Sequence, residues 1–426
     1  TPGIVGYEIS KSNYSFGIDY AINKNFTIGI SNERNNYTSL KFVYKNNPKT
    51  SLKKYQYKKS KLIKPQDDKY KRFVKNIENN GIGVNKIIES SESIGVELTQ
   101  FTHSNLDIIE EIIKSASIDS GINKEIKTDL RIANLQAQSD FDEDFIKRSE
   151  LIFERKESKK LSTSTNLVLR PFIASREEFF KGALLLENNS EYIIKDNFFF
   201  SSNIKYSLAD NFDDLTIPPE NTYPALVRSD IKDYLRNIDN GIIIGRAQFD
   251  FYVTPKKYHH LMFTAGILEE MFSGIGFEYL YFKNDRNFSL GFEAFNVQKR
   301  DYEMRFGTLD YENLTYSINF NYRNYNLIPF DMKISYGEYL AGDEGSTIEF
   351  SRSYSNGIEF GVFATFTDVS AEQYGEGTFD KGIFFKIPIY GNLVNYTWRP
   401  LTKDPGAKLI RKNSLHDLLI KFKPLF

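Results

Sequence analysis

The chain has no cysteine, which excludes disulfides, thiolate zinc sites and a cysteine nucleophile. It has no run of 18 or more apolar residues, so it offers no candidate transmembrane helix. Its densest apolar runs, at 183–186 and 242–244, are a few residues long. It also lacks an excess of either charge: 55 Lys and Arg against 56 Asp and Glu leave a formal charge of −1. That balance is not the basic excess of a nucleic-acid binder, and no nucleic-acid partner is expected. The 4 histidines (His103, His259, His260, His416) show no ligand spacing, so neither a metal nor a cofactor is expected. Gly-x-Ser-x-Gly and the P-loop are absent too. What the chain does have is 36 Phe and 27 Tyr, with aromatics at 15 %. A disordered segment lacks such a load. With 40 % hydrophobic residues and a mean hydropathy of −0.44, a soluble β-rich protein and a membrane β-barrel both remain.

Alternation is the dominant pattern. Leu314, Tyr316, Ile318, Phe320 and Tyr322 alternate with Thr315, Ser317, Asn319, Asn321 and Arg323, which puts apolar and polar sets on opposite faces of a strand. The pattern recurs around Phe330–Tyr336, Ile358–Phe366 and Phe249–Val253, with turn signals at 283–285, 323–326 and 355–357. From residue 163 onward about fourteen strands are expected, within a range of 12 to 16. A soluble sandwich would show the same alternation. Three details favour a membrane barrel: runs of around ten residues, charges within the polar set, and aromatics near strand ends (Tyr279, Tyr281, Phe282, Tyr322, Tyr325).

Upstream the chain divides. Residues 1–46 hold three strands, Tyr14–Tyr20, Phe26–Ile30 and Leu40–Tyr44, as if left from a larger N-terminal barrel region; the start Thr1-Pro2-Gly3 reads as a processed or truncated form. Residues 47–66 form a lysine-rich linker, expected to be a solvated tether. Residues 67–158 switch to an α-β-β-α order, the mark of a small α+β domain, with Ser104 as a helix cap. The stretch 118–160 is weakly patterned and reads as moderately helical. Residues 159–426 carry the main run of strands. They are interrupted at 210–240 by an insert with Pro218, Pro219 and Pro224 that reads as a long loop or plug.

Residues 337–382 gather Asp343, Glu344, Glu349, Glu359, Asp368, Glu372, Glu376 and Asp380 beside three tyrosines. Carboxylates with tyrosines are what a saccharide-binding or glycosidase cleft uses, although the same residues suit a wet lumen and its loops. At the end, Leu418, Ile420 and Phe422 alternate towards Phe426. An aromatic C-terminus on an amphipathic last strand resembles the insertion signal of outer-membrane barrels, so the barrel-assembly machinery is an expected partner.

Several segments resemble the YjbH-like family of outer-membrane β-barrel proteins from exopolysaccharide and capsule operons. They are AGILEEMFSGIGFEYLY (265–281), GEYLAGDEGSTIEFSRSYSNGIEFGVFATFTDVSAEQYGEGTFDKGIFFKIPI (337–389) and TWRPLTKDPGAKL (397–409), with fainter matches at 225–235 and 297–311. The resemblance implies a mainly β fold: an antiparallel outer-membrane β-barrel carrying a small periplasmic α+β domain. It further implies a non-enzymatic, porin-like part in export or assembly of exopolysaccharide or capsule in a Gram-negative bacterium. The implied partners are outer-membrane lipid, a polysaccharide and a periplasmic polysaccharide-export protein. No catalytic residues come with the resemblance. Asp343, Glu344, Glu376, Asp380 and Arg399 are the motif positions expected to matter for binding in the lumen or loops. The alternatives are a β-rich polysaccharide hydrolase or lyase using the carboxylates of 343–380, and a structural or adhesive surface protein.

Overall fold

A computed structural model describes residues 12–35, 37–45, 56–100, 106–155, 160–172, 181–215, 226–239, 241–354, 358–374, 379–389, 394–399 and 404–420. The expected N-terminal strands form an antiparallel sheet of β1 (Phe16–Ala21), β2 (Phe26–Glu33) and β3 (Tyr37–Tyr44). Register aligns Ile18 with Ile30 and Leu40, and Tyr20 with Ile28 and Phe42. The result is one exposed apolar face, while Lys41 pairs with Asp19 at 2.5 Å. This sheet belongs to a unit separate from the rest of the chain.

The α+β domain begins with α1 (Lys69–Glu78). Asp68 caps it by accepting from the Lys71 N–H at 2.7 Å, and Phe73, Val74 and Ile77 bury one stripe. Next come β4 (Ile82–Glu89), β5 (Ser93–Gln100) and α2 (Leu106–Ser120), matching the expected order; Ser104 lies outside the described residues. The stretch read as helical differs: it holds β6 (Glu125–Ile132), β7 (Leu135–Ser139), α3 (Glu143–Arg148) and β8 (Glu150–Glu154). The reason is tertiary. β6 pairs parallel to β5 after the α2 crossover, so Leu130 and Ile132 enter the core already built by Phe73, Ile87, Val96 and Ile112. The sheet order is β7-β6-β5-β4-β8. The described part of the lysine-rich stretch is fastened here, with the Ser60 N–H on Asn76 and the Lys58 N–H on Asn80.

The remaining strands make one antiparallel sheet of 13: β9 (Leu161–Phe172), β10 (Lys181–Lys195), β11 (Phe198–Asp210), β12 (Ile242–Lys256), β13 (His259–Ile267), β14 (Phe272–Phe282), β15 (Phe288–Arg300), β16 (Thr308–Asn324), β17 (Phe330–Glu338), β18 (Glu344–Ser353), β19 (Glu359–Thr367), β20 (Asp380–Ile389) and β21 (Val394–Trp398). Every neighbour is also the neighbour in sequence. Among the described residues β9 and β21 do not pair, so the sheet is not closed there. Its turns are unequal. At one end they take two to five residues; at the other they take four to thirty-one. The α+β domain sits on the short-turn end, where the Gln136 N–H meets Thr254 at 3.1 Å and Lys257 reaches the Ser139 carbonyl at 3.2 Å.

Polarity across this sheet is the reverse of a soluble sandwich. One face exposes Leu186, Phe249, Phe263, Ile275, Leu290, Ile318, Phe350, Val362 and Ile383. The opposite face buries Ser201, Gln248, Asp250, Thr264, Glu278, Asn321, Thr347 and Thr365. On the apolar face Phe251, Phe263, Phe277 and Phe292 form a row across four strands, centroids 5.7–6.4 Å apart. Nearer the short turns, Tyr281, Phe288 and Phe320 make a second row. Of the aromatics expected at strand ends, Phe282 turns inward into the core instead, because it falls in the polar phase of β14 next to the α+β domain.

Two further elements differ from expectation. Within the insert at 210–240, α4 (Ile231–Arg236) forms, and Phe212, Leu215, Val227, Tyr234, Leu235 and Ile238 are buried; its three prolines lie outside the described residues. A short α5 (Ala371–Tyr374) lies between β19 and β20. The expected last strand does not start at Leu418: residues 415–419 are helix α6 (Leu415–Leu419), capped by Ser414, with Leu415, Leu418 and Leu419 buried at helical spacing. The tail beyond residue 420 lies outside the described residues.

Asp67 gives the α+β domain an acid-sensitive anchor. Lys75 donates to its carboxylate at 2.5 Å and the Lys64 N–H at 2.7 Å, holding it down to about 2. An acid depressed in the folded state adds stability above its unfolded pKa of about 3.9. That contribution drains away as pH falls towards the folded value. Asp67→Asn is therefore expected to lower stability at neutral pH and to flatten the loss below pH 4, read by circular dichroism during acid titration.

Candidate functional site

Residues 404–420 run along the polar face of the sheet from the long-loop end to the α+β domain. At the start, one Asp404 oxygen accepts from the N–H groups of Val227, Arg228 and Ser229 at 2.9, 2.7 and 2.9 Å, a carboxylate in a nest of backbone donors. The Gly406 N–H donates to Asp343 at 2.7 Å. Gly406 has φ +75°, and a Cβ there would meet Thr365 of β19 at 2.5 Å, so glycine lets the segment lie on the wall. Farther on, Lys408 donates to Ser335 of β17 at 2.6 Å. Arg411 lies between Glu278 of β14 and Glu293 of β15 at 2.7 and 2.5 Å. Lys412 pairs with Glu191 of β10 and donates to Ser201 of β11 at 2.6 Å. At the end, His416 meets Ser289 at 3.1 Å.

These contacts determine the shape of the sheet. From Lys408 to Lys412 the chain spans at most about 14 Å. On a flat sheet β10 and β17 would stand about 34 Å apart. The short span favours a sheet that curves over the segment, its polar face towards it. Glu270, in the turn after β13, tells the same: it holds Arg170 of β9 at 2.9 Å and Lys205 of β11 at 2.8 Å.

The space between the polar face and the segment has apolar ends and a charged middle. At the long-loop end Ala407 joins Phe212, Val227, Tyr234, Phe272 and Met304. Beside them Arg228 pairs with Glu269 at 2.7 Å, and Lys299 pairs with Asp230. At the domain end Leu415, Leu418 and Leu419 join Tyr252, Met262, Leu280 and Phe282 in a core continuous with the α+β domain. Between them a cavity of about 170 Å³ separates the segment from the wall, with Glu293, Ser317, Lys333, Ser335, Lys408 and Arg411 around it. Mixed charges and hydroxyls offer many weak contacts, which suits a ligand that must also be released.

The four described positions among those chosen from sequence lie in separate places. Asp343 is buried in the β17–β18 turn against Gly406, and burial pushes its carboxyl up to about 6. Glu344, next to it, faces outward and accepts from Tyr336 at 2.9 Å. Arg399 lies over Phe384 at 4.6 Å and pairs with Glu349 at 2.6 Å. Asp380 starts β20, its carboxylate accepting from the Lys381 N–H at 2.9 Å. Glu376 lies outside the described residues. Among the described residues no group of three or more His, Asp or Glu side chains is arranged to hold a metal. The side chains that do meet, Glu191, Glu278, Glu293, Lys408, Arg411 and Lys412, were missed. The two glutamates on β14 and β15 stand in the polar phase of their strands and were findable as inward charges; Arg411 and Lys412 carry no periodic signal.

The arrangement defines a class: a mainly β chain whose large antiparallel sheet has an apolar face exposed and a polar face along which residues 404–420 run. The chain belongs to the YjbH family, described as exopolysaccharide biosynthesis protein YbjH, whose match covers residues 100–421. It is 29 % identical over 265 residues to a protein named uncharacterized lipoprotein YjbH from Escherichia coli strain K12. That alignment covers 59 % of this chain and 37 % of the relative, so the chain spans well under half of its length. Among solved structures, Salmonella typhi OmpF in complex with daunomycin aligns over 53 % of this chain and 84 % of its own, at 8 % identity and a TM-score of 0.29. OmpT of Vibrio cholerae aligns over 53 % and 79 %, at 7 % identity and a TM-score of 0.22. Neither score is high enough to assign a fold.

Arg411→Ala would remove the cation that lies between Glu278 and Glu293. Removing one partner of a buried ion pair costs about 3–5 kcal/mol. A lowered unfolding temperature in detergent is expected, and restoration by adding Glu278→Gln and Glu293→Gln would identify the cause as uncompensated charge.

Proposed function

We propose that this chain is an outer-membrane β-barrel protein taking part, without catalysis of its own, in the export or assembly of an exopolysaccharide. One observation carries the reading: the rolled sheet buries its charges and exposes its leucines, isoleucines and phenylalanines. In water that inversion would be costly, since apolar surface is driven inward; against lipid it is the stable arrangement. Rows of aromatic rings on the apolar face fit interfacial girdles. Short turns at one end and long loops at the other match outer-membrane barrels, whose short turns lie in the periplasm. The α+β domain, on the short-turn end, then faces the periplasm, where a polysaccharide-export protein would meet it. Membership of an exopolysaccharide biosynthesis family supplies the cargo class.

Strand parity bears on closure. Thirteen antiparallel strands leave β9 and β21 running the same way, so direct closure would need a parallel pair.

Deletion of the gene is expected to remove surface polymer, and wild-type polymer in the deletion strain would overturn the role. The membrane reading has its own test. Phe263→Arg, on the exposed apolar face, is expected to reduce insertion, since a mid-membrane arginine costs about 2–4 kcal/mol. Thr264→Ser, on the inner face, should insert normally. Heat-modifiable migration of outer-membrane fractions reads both, and a protein that stays soluble without detergent sinks the barrel.

A further inference from the structure

We infer that the C-terminal segment, residues 404–420, is the gate of the lumen, seated in its closed position here. The inference rests on the barrel reading above and concerns the regulation of that same passage.

An apolar cluster lies at each end of the polar face, and this one segment contributes to both: Ala407 at the long-loop end, and Leu415, Leu418 and Leu419 at the domain end. Among the described residues the cavity beside the segment is about 170 Å³, too small for a chain of sugar rings. A passage must therefore arise by movement of what fills it. The strands that make the wall are locked by continuous ladders from β9 to β21, whereas the segment pairs with no strand. Its middle is held by polar contacts with side chains of the wall and the insert: Lys408, Arg411 and Lys412 reach the strands, and the Lys408 carbonyl accepts from Arg228 at 2.7 Å.

The nature of those contacts suits release. Ion pairs to a wall that is polar throughout can be exchanged for water or for a hydroxyl-rich ligand, because the vacated carboxylates stay in a polar lumen. An apolar seat along the whole length would not exchange in this way. Ile410, in the middle of the segment, is half-exposed, so the middle is not packed as a core. The lower latch is α6, a five-residue helix whose three leucines close on the α+β domain. A partner that moves that domain would thereby act on the gate, which couples the periplasmic side to the lumen.

The absence of cysteine makes the test clean. Ser289 and His416 touch across the latch at 3.1 Å, so Ser289→Cys with His416→Cys permits cross-linking by oxidation or a short bifunctional thiol reagent. The opposite variant, Arg411→Gln with Glu278→Gln and Glu293→Gln, removes the central ion pairs without stranding a charge. Each protein is scored first for heat-modifiable migration, then for KCl current in planar bilayers. The gate predicts loss of current in the cross-linked pair, its return on reduction, and more frequent opening in the triple variant. Inserted proteins whose currents are equal in the oxidised, reduced and triple-variant forms, including equally silent ones, overturn the gate alone. Failure to insert in every form, the unaltered chain included, overturns the barrel and the gate with it.

Discussion

Arg411 between Glu278 and Glu293 is the contact on which the interior depends. A guanidinium that satisfies two carboxylates on adjacent strands lets the sheet keep both acids facing inward. Without a cation, like charges that close would repel in a partly desolvated lumen. Lys412 one residue on does the same for Glu191. The segment therefore acts as the counter-charge of the wall, and the sheet rolls because its acids and that segment must meet.

The near-zero net charge acquires a meaning in this arrangement. Acids on β10, β14, β15 and β18 are matched by bases in or near the C-terminal segment: Lys412, Arg411 and Arg399. Balance over the whole chain reflects pairing across the lumen rather than a featureless surface. The same pairing keeps the polar face from presenting one strong field.

Much of the fold was legible beforehand. Alternation at Leu314–Arg323 and Phe330–Tyr336 located β16 and β17 and told which face was polar, and the helical spacing of Phe73 and Ile77 located α1. Where the reading differed, long-range partners decided. Glu125–Ile132 became a strand because β5 offered a parallel edge. Leu418 and Ile420 alternate as a strand would, yet Leu415, Leu418 and Leu419 bury together as a helix because an apolar pocket between the sheet and the α+β domain receives them. Candidate residues were chosen where carboxylates were dense along the chain, at 343–380. The residues that meet come instead from β10, β14, β15 and the tail, more than a hundred positions apart, and density along a chain carries no information about such encounters.

By itself, then, the amino-acid sequence determined the strands, their two faces and the absence of disulfides, because period-two alternation and composition are local properties. It determined membership of the exopolysaccharide family through long ordered segments. Which way the polar face would turn, and what would fill it, only the tertiary structure decided. Strand alternation is identical whichever face is buried, and the outcome rests on side chains of the C-terminal segment that meet the polar face from far along the chain.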